Sequence, residues 1–277
     1  MNVCLVRYNE IGLKGRNQKE FQNLLIKNIK RHLIKKRIKF ENIQKSYSRI
    51  IIRTNSECRF LKLVFGVSSF SSSMQTGLEI NEINAAALAL TKNKKFSKFR
   101  VSASRANKKF QYNSLQINNL VGSEVNKKQN KKVDLKNFDL DIGIDILDKA
   151  YIFIGKAKGP GGLPLGIEGN VISIIKNKKS LLASYLAMKR GCKVIPVAIK
   201  KFDINILRKF DGNLKLRIIK SIKDVEKISE ENNAKAIVSC QTIDDLEKIK
   251  TKLIVLRPLV GLSEHEINCK LDYLNSL

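Results

Sequence analysis

The first third of the chain alternates apolar runs with a helical pattern. Residues 3–8 form an apolar run that suits a strand, and the β-branched residues 49–53 predict a second, buried strand. Between these runs, apolar positions recur at helical spacing from Lys19 onward, so that one helix face carries Phe21, Leu24, Leu25, Asn28, Ile29, His32 and Leu33. Residues 58–65 predict another helix, and residues 69–75 another strand. This order of elements is half of a ferredoxin-like fold.

The middle of the chain predicts an α+β unit. An alanine- and leucine-rich helix over residues 83–91 precedes a strand over residues 99–104. Ser114 begins an amphipathic helix whose apolar positions are Leu115, Ile117, Leu120 and Val121. Residues 140–147 and 151–154 then predict an antiparallel hairpin.

The last third follows the Gly- and Pro-rich segment 159–164, which is typical of a linker. Beyond it, short apolar runs alternate with helical segments; the runs are residues 171–175, 193–199, 216–219, 236–240 and 253–256. Strands that are apolar along their whole length are buried on both faces. We therefore predict a parallel, Rossmann-like sheet with helices on both sides.

Composition adds a strong positive charge to this picture. The chain of 277 residues has 53 Lys and Arg against 25 Asp and Glu, a formal net charge of +28. Such an excess favours a polyanionic partner, because neutralising phosphates releases their counterions. The alternative is a lysine-rich proteome that raises the charge of all its proteins, so charge alone does not name a nucleic acid.

Two absences in the sequence narrow the class of protein. No apolar run is long enough to span a bilayer and no signal-peptide pattern is present, so we expect a cytoplasmic protein without a membrane partner. The five cysteines are dispersed, at Cys4, Cys58, Cys192, Cys240 and Cys269, which fits a reducing compartment. None of them forms a C-x-x-C pair, and the two histidines lie far apart, so no zinc site is expected.

Several blocks of the sequence resemble one protein family. Residues 6–17 (VRYNEIGLKGRN) are similar to the opening signature of the tRNA 4-thiouridine synthetases, with Asn9 where glycine is usual. Residues 161–166 (GGLPLG), 187–191 (AMKRG), 240–242 (CQT) and 256–261 (LRPLVG) resemble further blocks of that family. The middle of the chain is similar to its THUMP domain at Lys109, Phe110, Ser114, Gly122 and residues 133–135.

The resemblance implies three parts: a ferredoxin-like domain over residues 1–75, a THUMP domain over 76–165 and a Rossmann-like PP-loop domain over 166–277. It also implies that the first two hold tRNA near its acceptor stem. The third would adenylate a uridine and accept sulfur from a persulfide carrier. tRNA is therefore the expected partner, and a persulfide donor or a catalytic partner protein is a further candidate.

Cations in or beside turns of the first two parts are the candidate RNA contacts. RNA duplexes are bound mainly through their backbone and 2′-hydroxyls, for which cations suffice. The candidates are Arg7, Lys14, Arg16, Arg100, Arg105, Lys108 and Lys109.

The third part departs from the family at its nucleotide loop. The family signature is Ser-Gly-Gly-Ile-Asp-Ser, and residues 175–180 here are IKNKKS. Lys176 and Asn177 replace both glycines, and Lys179, after Lys178, replaces the acid. Glycine lets backbone N–H groups wrap a pyrophosphate, which these side chains hinder. Ser180 remains and is predicted to be the N-cap of the next helix. No cofactor is predicted, and ATP and magnesium are expected only if this degenerate loop still works.

The candidate catalytic residue is Cys240, in a segment that looks shortened relative to the family. A free cysteine without an activating neighbour is usually a small core residue. The prediction is therefore a tRNA-binding member of the family that acts in, or derives from, tRNA thiolation. Two alternatives stay open: an active ATP-dependent sulfurtransferase, alone or with a partner subunit, and a tRNA-binding adaptor with no sulfur role.

Overall fold

The chain divides into two units, each built around its own β-sheet. The computed structural model describes residues 2–13, 15–221 and 223–277. The first unit comprises the residues up to Tyr8 together with 30–61 and 67–159. The second comprises residues 9–29, 62–66 and 160–277.

In the described part of the chain, the first unit holds a nine-stranded sheet. Its strands are β1 (Asn2–Arg7), β2 (Ile43–Ser46), β3 (Arg49–Arg53), β4 (Ser69–Thr76), β5 (Lys98–Arg105), β6 (Lys132–Val133), β7 (Leu140–Ile146), β8 (Ala150–Ile154) and β9 (Ala157–Lys158). They lie in the order β2-β3-β1-β4-β8-β7-β5-β6, and β9 pairs with β4. β5 runs parallel to β6 and β7, and the other pairs are antiparallel.

Three helices accompany these strands in the sequence: α1 (Gln18–Lys35), α2 (Ile80–Thr91) and α3 (Ser114–Gln129). α1 buries the predicted apolar stripe, including Phe21, Leu25, Ile29 and Leu33. α2 and α3 share one core with the middle strands; its members include Ile83, Ala87, Ile117, Val121, Val125, Ile142, Ile144 and Ile152. Asn113 and Gln116 form a capping box that begins α3.

The second unit contains a five-stranded parallel sheet in the order β12-β11-β10-β13-β14, within the described residues. Its strands are β10 (Asn170–Ile174), β11 (Lys193–Ala198), β12 (Arg217–Ile218), β13 (Ala234–Val238) and β14 (Ile254–Leu256). Its helices are α4 (Lys178–Lys189), α5 (Asn205–Arg208), α6 (Lys223–Glu231) and α7 (Glu264–Ser276). The mixed α/β class and the Rossmann-like sheet that the sequence predicts are confirmed.

Alternate residues of β10 explain why its sequence is apolar throughout. Val171 packs into the core on the side of α4 and α7, and Ile172 packs with Val225 of α6 on the other side. Both faces of the strand are therefore withdrawn from water.

Three predicted features differ in the structure. Residues 58–65 contain a 3-10 turn (Arg59–Leu63) instead of an α-helix. β2 was not predicted, because its sequence IQKS carries no apolar run and lies at the sheet edge. Leu115 is 68% exposed, because Ile117, Val121 and Val125 define the buried stripe of α3.

The Gly-Gly-Leu-Pro motif closes against the end of α4. Gly162 has φ +73°, and a Cβ there would lie 2.0 Å from the carbonyl oxygen of Lys189. The Leu163 N–H donates to that same oxygen at 2.9 Å. Glycine is required at 162 both for its backbone conformation and for this close approach.

Among the described residues, no helix has the length and apolar character needed to cross a membrane.

Candidate RNA contacts and nucleotide loop

Arg7 lies in the interior of the first unit. Its Nη1 donates to Ser71 Oγ at 3.1 Å, and its Cζ lies 4.4 Å from the ring centroid of Phe153. Its Nε is 3.4 Å from Asp145 Oδ2, which also accepts a 2.7 Å hydrogen bond from Arg49. Burial lowers the pKa of Arg7, and the Asp145 carboxylate opposes that shift. The expectation that Arg7 reaches an RNA phosphate is corrected: strand alternation turns its side chain inward, where it forms a buried ion pair.

Lys108 and Lys109 lie on a turn that is anchored to the β7–β8 hairpin. Both side chains are exposed. The backbone N–H groups of Ala106 and Asn107 donate to the Ile146 carbonyl, and the Asn107 side chain donates to the Leu147 carbonyl. The turn therefore presents two adjacent cations from a fixed backbone, as a phosphate contact requires.

Arg105 and Arg100, the two candidate arginines of β5, have less freedom than these lysines. Arg105 donates to the Phe110 carbonyl at 3.1 Å, which closes the loop that carries the two lysines. Arg100 pairs with Asp141 at 2.9 Å, and its Cζ lies 3.9 Å from the ring centroid of Phe138. Both arginines are half-buried. That these arginines bind RNA remains a prediction. The contact that the structure shows for Arg105 is its hydrogen bond to the Phe110 carbonyl, which anchors the loop.

Arg16 belongs to the second unit and lines a cavity of about 600 Å³ at the start of α1. Lys19 and Lys27 line the same cavity, along with residues 166 and 167. The sequence analysis did not single out these two lysines, although positions 19, 23 and 27 fall on one helical stripe. Lys14, the remaining predicted contact, lies outside the described residues.

The segment between β10 and α4 is the one that the sequence analysis compares with the family's glycine-rich loop. Ser180 Oγ accepts the backbone N–H groups of Lys176 at 3.0 Å and Asn177 at 3.2 Å. Asn177 Oδ1 accepts the N–H of Ser180 at 3.0 Å. The prediction that Ser180 is the N-cap is wrong: Asn177 is the N-cap, and Ser180 is the third residue of its capping box. Three backbone donors of the loop are thus used within it.

Lys179, which the sequence analysis aligns with the family's acid, is held by a carboxylate from another helix. Its Nζ lies 2.8 Å from Glu264 Oε2, at the start of α7. The hydrogen bond to Glu264 raises the pKa of Lys179, and Asp245 contributes in the same direction. Lys176 and Lys178 are exposed on the same turn. The charge of the loop is positive where a magnesium-binding acid is expected in the family.

Cys240 is half-buried beside this loop, 3.4 Å from Ser180 Oγ. It follows β13 by two residues, so the chain turns at once from the strand into the next segment. Lys179 interacts electrostatically with Cys240 and also with the Asp245 carboxylate.

The segment after Cys240 is closed by its own hydrogen bonds. The Gln241 amide donates to the carbonyls of Asp245 and Glu247 and accepts from Arg257 Nε at 3.0 Å. The Thr242 hydroxyl donates to Asp245 Oδ1, and this hydrogen bond lowers the pKa of Asp245. Arg257 therefore fixes the turn through an amide and a carbonyl. Among the described residues, no three metal-ligating side chains come together here or elsewhere.

Comparison with known proteins shows which family the chain is similar to. Residues 3–71 match the ThiI ferredoxin-like domain and residues 79–155 match the THUMP domain. The chain is 31% identical to a probable tRNA sulfurtransferase of Thermococcus kodakarensis, across 96% of this chain and 86% of that protein. The chain belongs to the tRNA sulfurtransferase family. The resemblance noted in the sequence is thereby confirmed.

Two solved structures share the fold of this family member. The crystal structure of PH1313 from Pyrococcus horikoshii Ot3 is 35% identical, covers 99% of this chain and 100% of its own, and superposes with a TM-score of 0.89. A 4-thiouridine synthetase in complex with RNA and ATP is 24% identical, covers 100% of this chain and 85% of its own, and has a TM-score of 0.82.

The alignment with the Thermococcus protein also shows a difference in length. That match extends over 326 residues, although the whole of this chain has 277. The relative therefore carries segments inside the matched region that this tRNA sulfurtransferase homologue lacks.

Proposed function

We propose that this family member binds tRNA and serves tRNA thiolation, or a process derived from it, without ATP-dependent chemistry of its own. The observation that carries the proposal is the contrast between two surfaces. Exposed cations stand on an anchored turn of the THUMP unit, whereas the nucleotide loop is closed by the capping box of Asn177 and Ser180.

The residues of the nucleotide loop do not fit an ATP–magnesium group. A phosphate-binding turn needs free backbone N–H groups, and three of them here donate to Ser180 and Asn177. Where an acid would face magnesium, this chain has Lys179, and that lysine is already paired with Glu264. A persulfide donor or a partner protein with an intact loop would have to supply the chemistry that this chain lacks.

The three domains predicted from the sequence are kept as part of this proposal. The matched families end at residue 71 and begin again at residue 79, which supports a boundary near residue 75. The second unit, however, includes residues 9–29 and 62–66 besides 160–277. Tests of RNA binding therefore use the full chain, because a fragment ending at residue 165 would divide that unit.

Reversing the charge of Lys108 and Lys109 to Glu is expected to weaken tRNA binding about 50-fold at 0.1 M salt, the loss of two phosphate contacts. The slope of log affinity against log salt should fall by about 1.8. Lys227→Glu with Lys235→Glu, exposed positions of the second unit, gives the same change of net charge. Equal losses in the two double variants, measured by fluorescence anisotropy, would show that the turn has no specific role.

Replacing Cys240 with Ser is expected to leave both tRNA affinity and thermal unfolding nearly unchanged. The half-buried thiol contacts the Ser180 hydroxyl, and a serine hydroxyl in place of the thiol can make the same contact. Cys192 is the matched control, since its thiol is buried in the core of the second unit and Cys192→Ser should destabilise by about 1–3 kcal/mol. A persulfide trapped on Cys240 by mass spectrometry, after incubation with a desulfurase, would contradict this prediction and favour an active sulfurtransferase.

A further inference from the structure

Lysines gather at the end of the first unit where α2 and α3 terminate. About half of the residues in 92–100 and 127–136 are Lys or Arg, against 53 of 277 in the whole chain. A lysine-rich proteome would raise all segments alike, so it does not explain this local excess. We call the exposed members the lysine cluster; they are Lys92, Lys94, Lys95, Lys127, Lys128, Lys132 and Lys136.

The two helix ends and two strands that carry these lysines are joined by specific contacts. Gln129, at the end of α3, donates to the Leu88 carbonyl and to Thr91 Oγ1 at the end of α2. The Lys132 N–H donates to the Ser97 carbonyl, and β6 pairs with the start of β5. The segments therefore form one fixed surface.

Two carboxylates near these lysines, Asp134 and Asp139, accept hydrogen bonds from other groups. Asp139 accepts the backbone N–H groups of Ser97 and Lys98, each at 2.9 Å. Asp134 accepts those of Lys136 and Asn137 and lies 3.3 Å from Lys98 Nζ. These backbone hydrogen bonds lower the pKa of both acids. Their oxygens are directed at the backbone and at Lys98, so neither forms an ion pair with a lysine cluster side chain among the described residues.

Helix ends alone do not require so many cations. Two or three lysines in a last turn are enough to offset the partial negative charge of a helix C-terminus. The lysine cluster exceeds that number and continues onto β6 and the residues after it. An additional polyanionic ligand accounts for the excess.

The lysine cluster and the Lys108–Lys109 turn lie at opposite ends of β5. This strand has eight residues, and at the usual rise its ends are about 23 Å apart. A folded RNA is long enough to contact both ends at once. Each end would meet backbone phosphates, which need no base-specific side chain.

We propose that the lysine cluster is a second contact for the phosphate backbone of the bound RNA, distinct from the turn of Lys108 and Lys109. This inference rests on the proposed tRNA binding. The bound RNA lies along the direction of β5 and contacts both the lysine cluster and the Lys108–Lys109 turn. Two separated contacts fix its orientation on the unit. An acidic protein partner is the competing occupant, and the test below separates the two.

The test changes Lys94, Lys95, Lys127 and Lys128 to Glu together in the full chain. The side chains of these four are exposed and form no hydrogen bond or ion pair among the described residues, so the fold should persist. The control reverses four exposed lysines of the second unit, Lys209, Lys215, Lys227 and Lys235, for an equal change of net charge. Circular dichroism and thermal unfolding confirm that both variants are folded.

With a tRNA transcript, the cluster variant should bind about 50-fold more weakly at 0.1 M salt, the loss expected when two of its four changed lysines contact phosphates. The control should change affinity by less than about threefold, because its four lysines belong to neither proposed phosphate contact. Hydroxyl-radical footprinting should show two protected backbone stretches with the natural protein and one with the cluster variant. If the cluster variant has the same tRNA affinity and footprint as the natural protein, the inference is overturned, and an acidic protein is left as the occupant. No tRNA binding by the natural protein would instead overturn the proposed function.

Discussion

Replacing Asp145 with Ala is expected to destabilise the first unit by about 3–5 kcal/mol. Asp145 is 2% exposed and is the carboxylate that Arg7 and Arg49 share. Removing it leaves the Arg7 guanidinium buried beside Phe153 without a counter-ion, and an uncompensated buried charge is among the costliest single changes. The expected readout is a lower urea midpoint by circular dichroism, with faster hydrogen exchange in β1 and β7.

Asp141 provides the matched control for that substitution. It lies on the same strand, pairs with Arg100 at 2.9 Å and is partly exposed, so Asp141→Ala should cost no more than about 1 kcal/mol. If both alanine variants unfold at the same urea concentration, the buried ion pairs of Asp145 do not stabilise the unit more than the partly exposed pair of Asp141. Asp145→Asn, which keeps the shape and removes the charge, should fall near the alanine variant.

The Arg7 cluster also shows why a sequence cannot assign a cation to the surface. Arg7 ends an apolar strand and precedes a polar turn, which is where a phosphate-binding arginine is expected. The carboxylate that pairs with it comes from Asp145, far away in the chain and separated from β1 in the sheet by two strands, β4 and β8. Short-range patterning contains no information about that pairing.

The parallel sheet of the second unit was predictable for the opposite reason. A strand buried on both faces must be apolar at successive positions, and β10, β11 and β13 obey that rule locally. β2, with the sequence IQKS at a sheet edge, needs no apolar face and was missed. Where a strand's environment is set by its own residues, the sequence is sufficient; where it is set by a neighbour, it is not.

The nucleotide loop lies between these cases. Loss of both glycines and reversal of the acid are visible in the sequence, and they predict a weakened phosphate cradle. The capping box was not predicted, because it depends on Asn177 accepting from Ser180 while Ser180 accepts from the loop. The structure adds that donors which could have faced a phosphate already have partners inside the protein.

ATP is expected to bind this protein no better than GTP or pyrophosphate. Backbone donors give a phosphate-binding turn much of its selectivity, and the N–H groups of Lys176, Asn177 and Ser180 are engaged. The exposed Lys176 and Lys178 attract any polyphosphate through charge, and salt screens that attraction. Calorimetry with the three ligands at 0.05 M and 0.2 M salt should show weak, equal binding that fades at the higher salt.

Two variants separate charge attraction from a built nucleotide site. Lys178→Glu should abolish the weak association, whereas Lys193→Glu, an exposed lysine at the other end of the parallel strands, should leave it unchanged. Loss of binding in both would mean that overall charge, and no particular turn, attracts the polyphosphate. Micromolar binding that selects ATP over GTP, or pyrophosphate release from ATP that depends on tRNA, would show that the loop works despite its capping box. The chain would then retain the adenylation step that an active sulfurtransferase needs. A closed turn that opens for ATP must gain more from the nucleotide than it loses in the hydrogen bonds of Asn177 and Ser180.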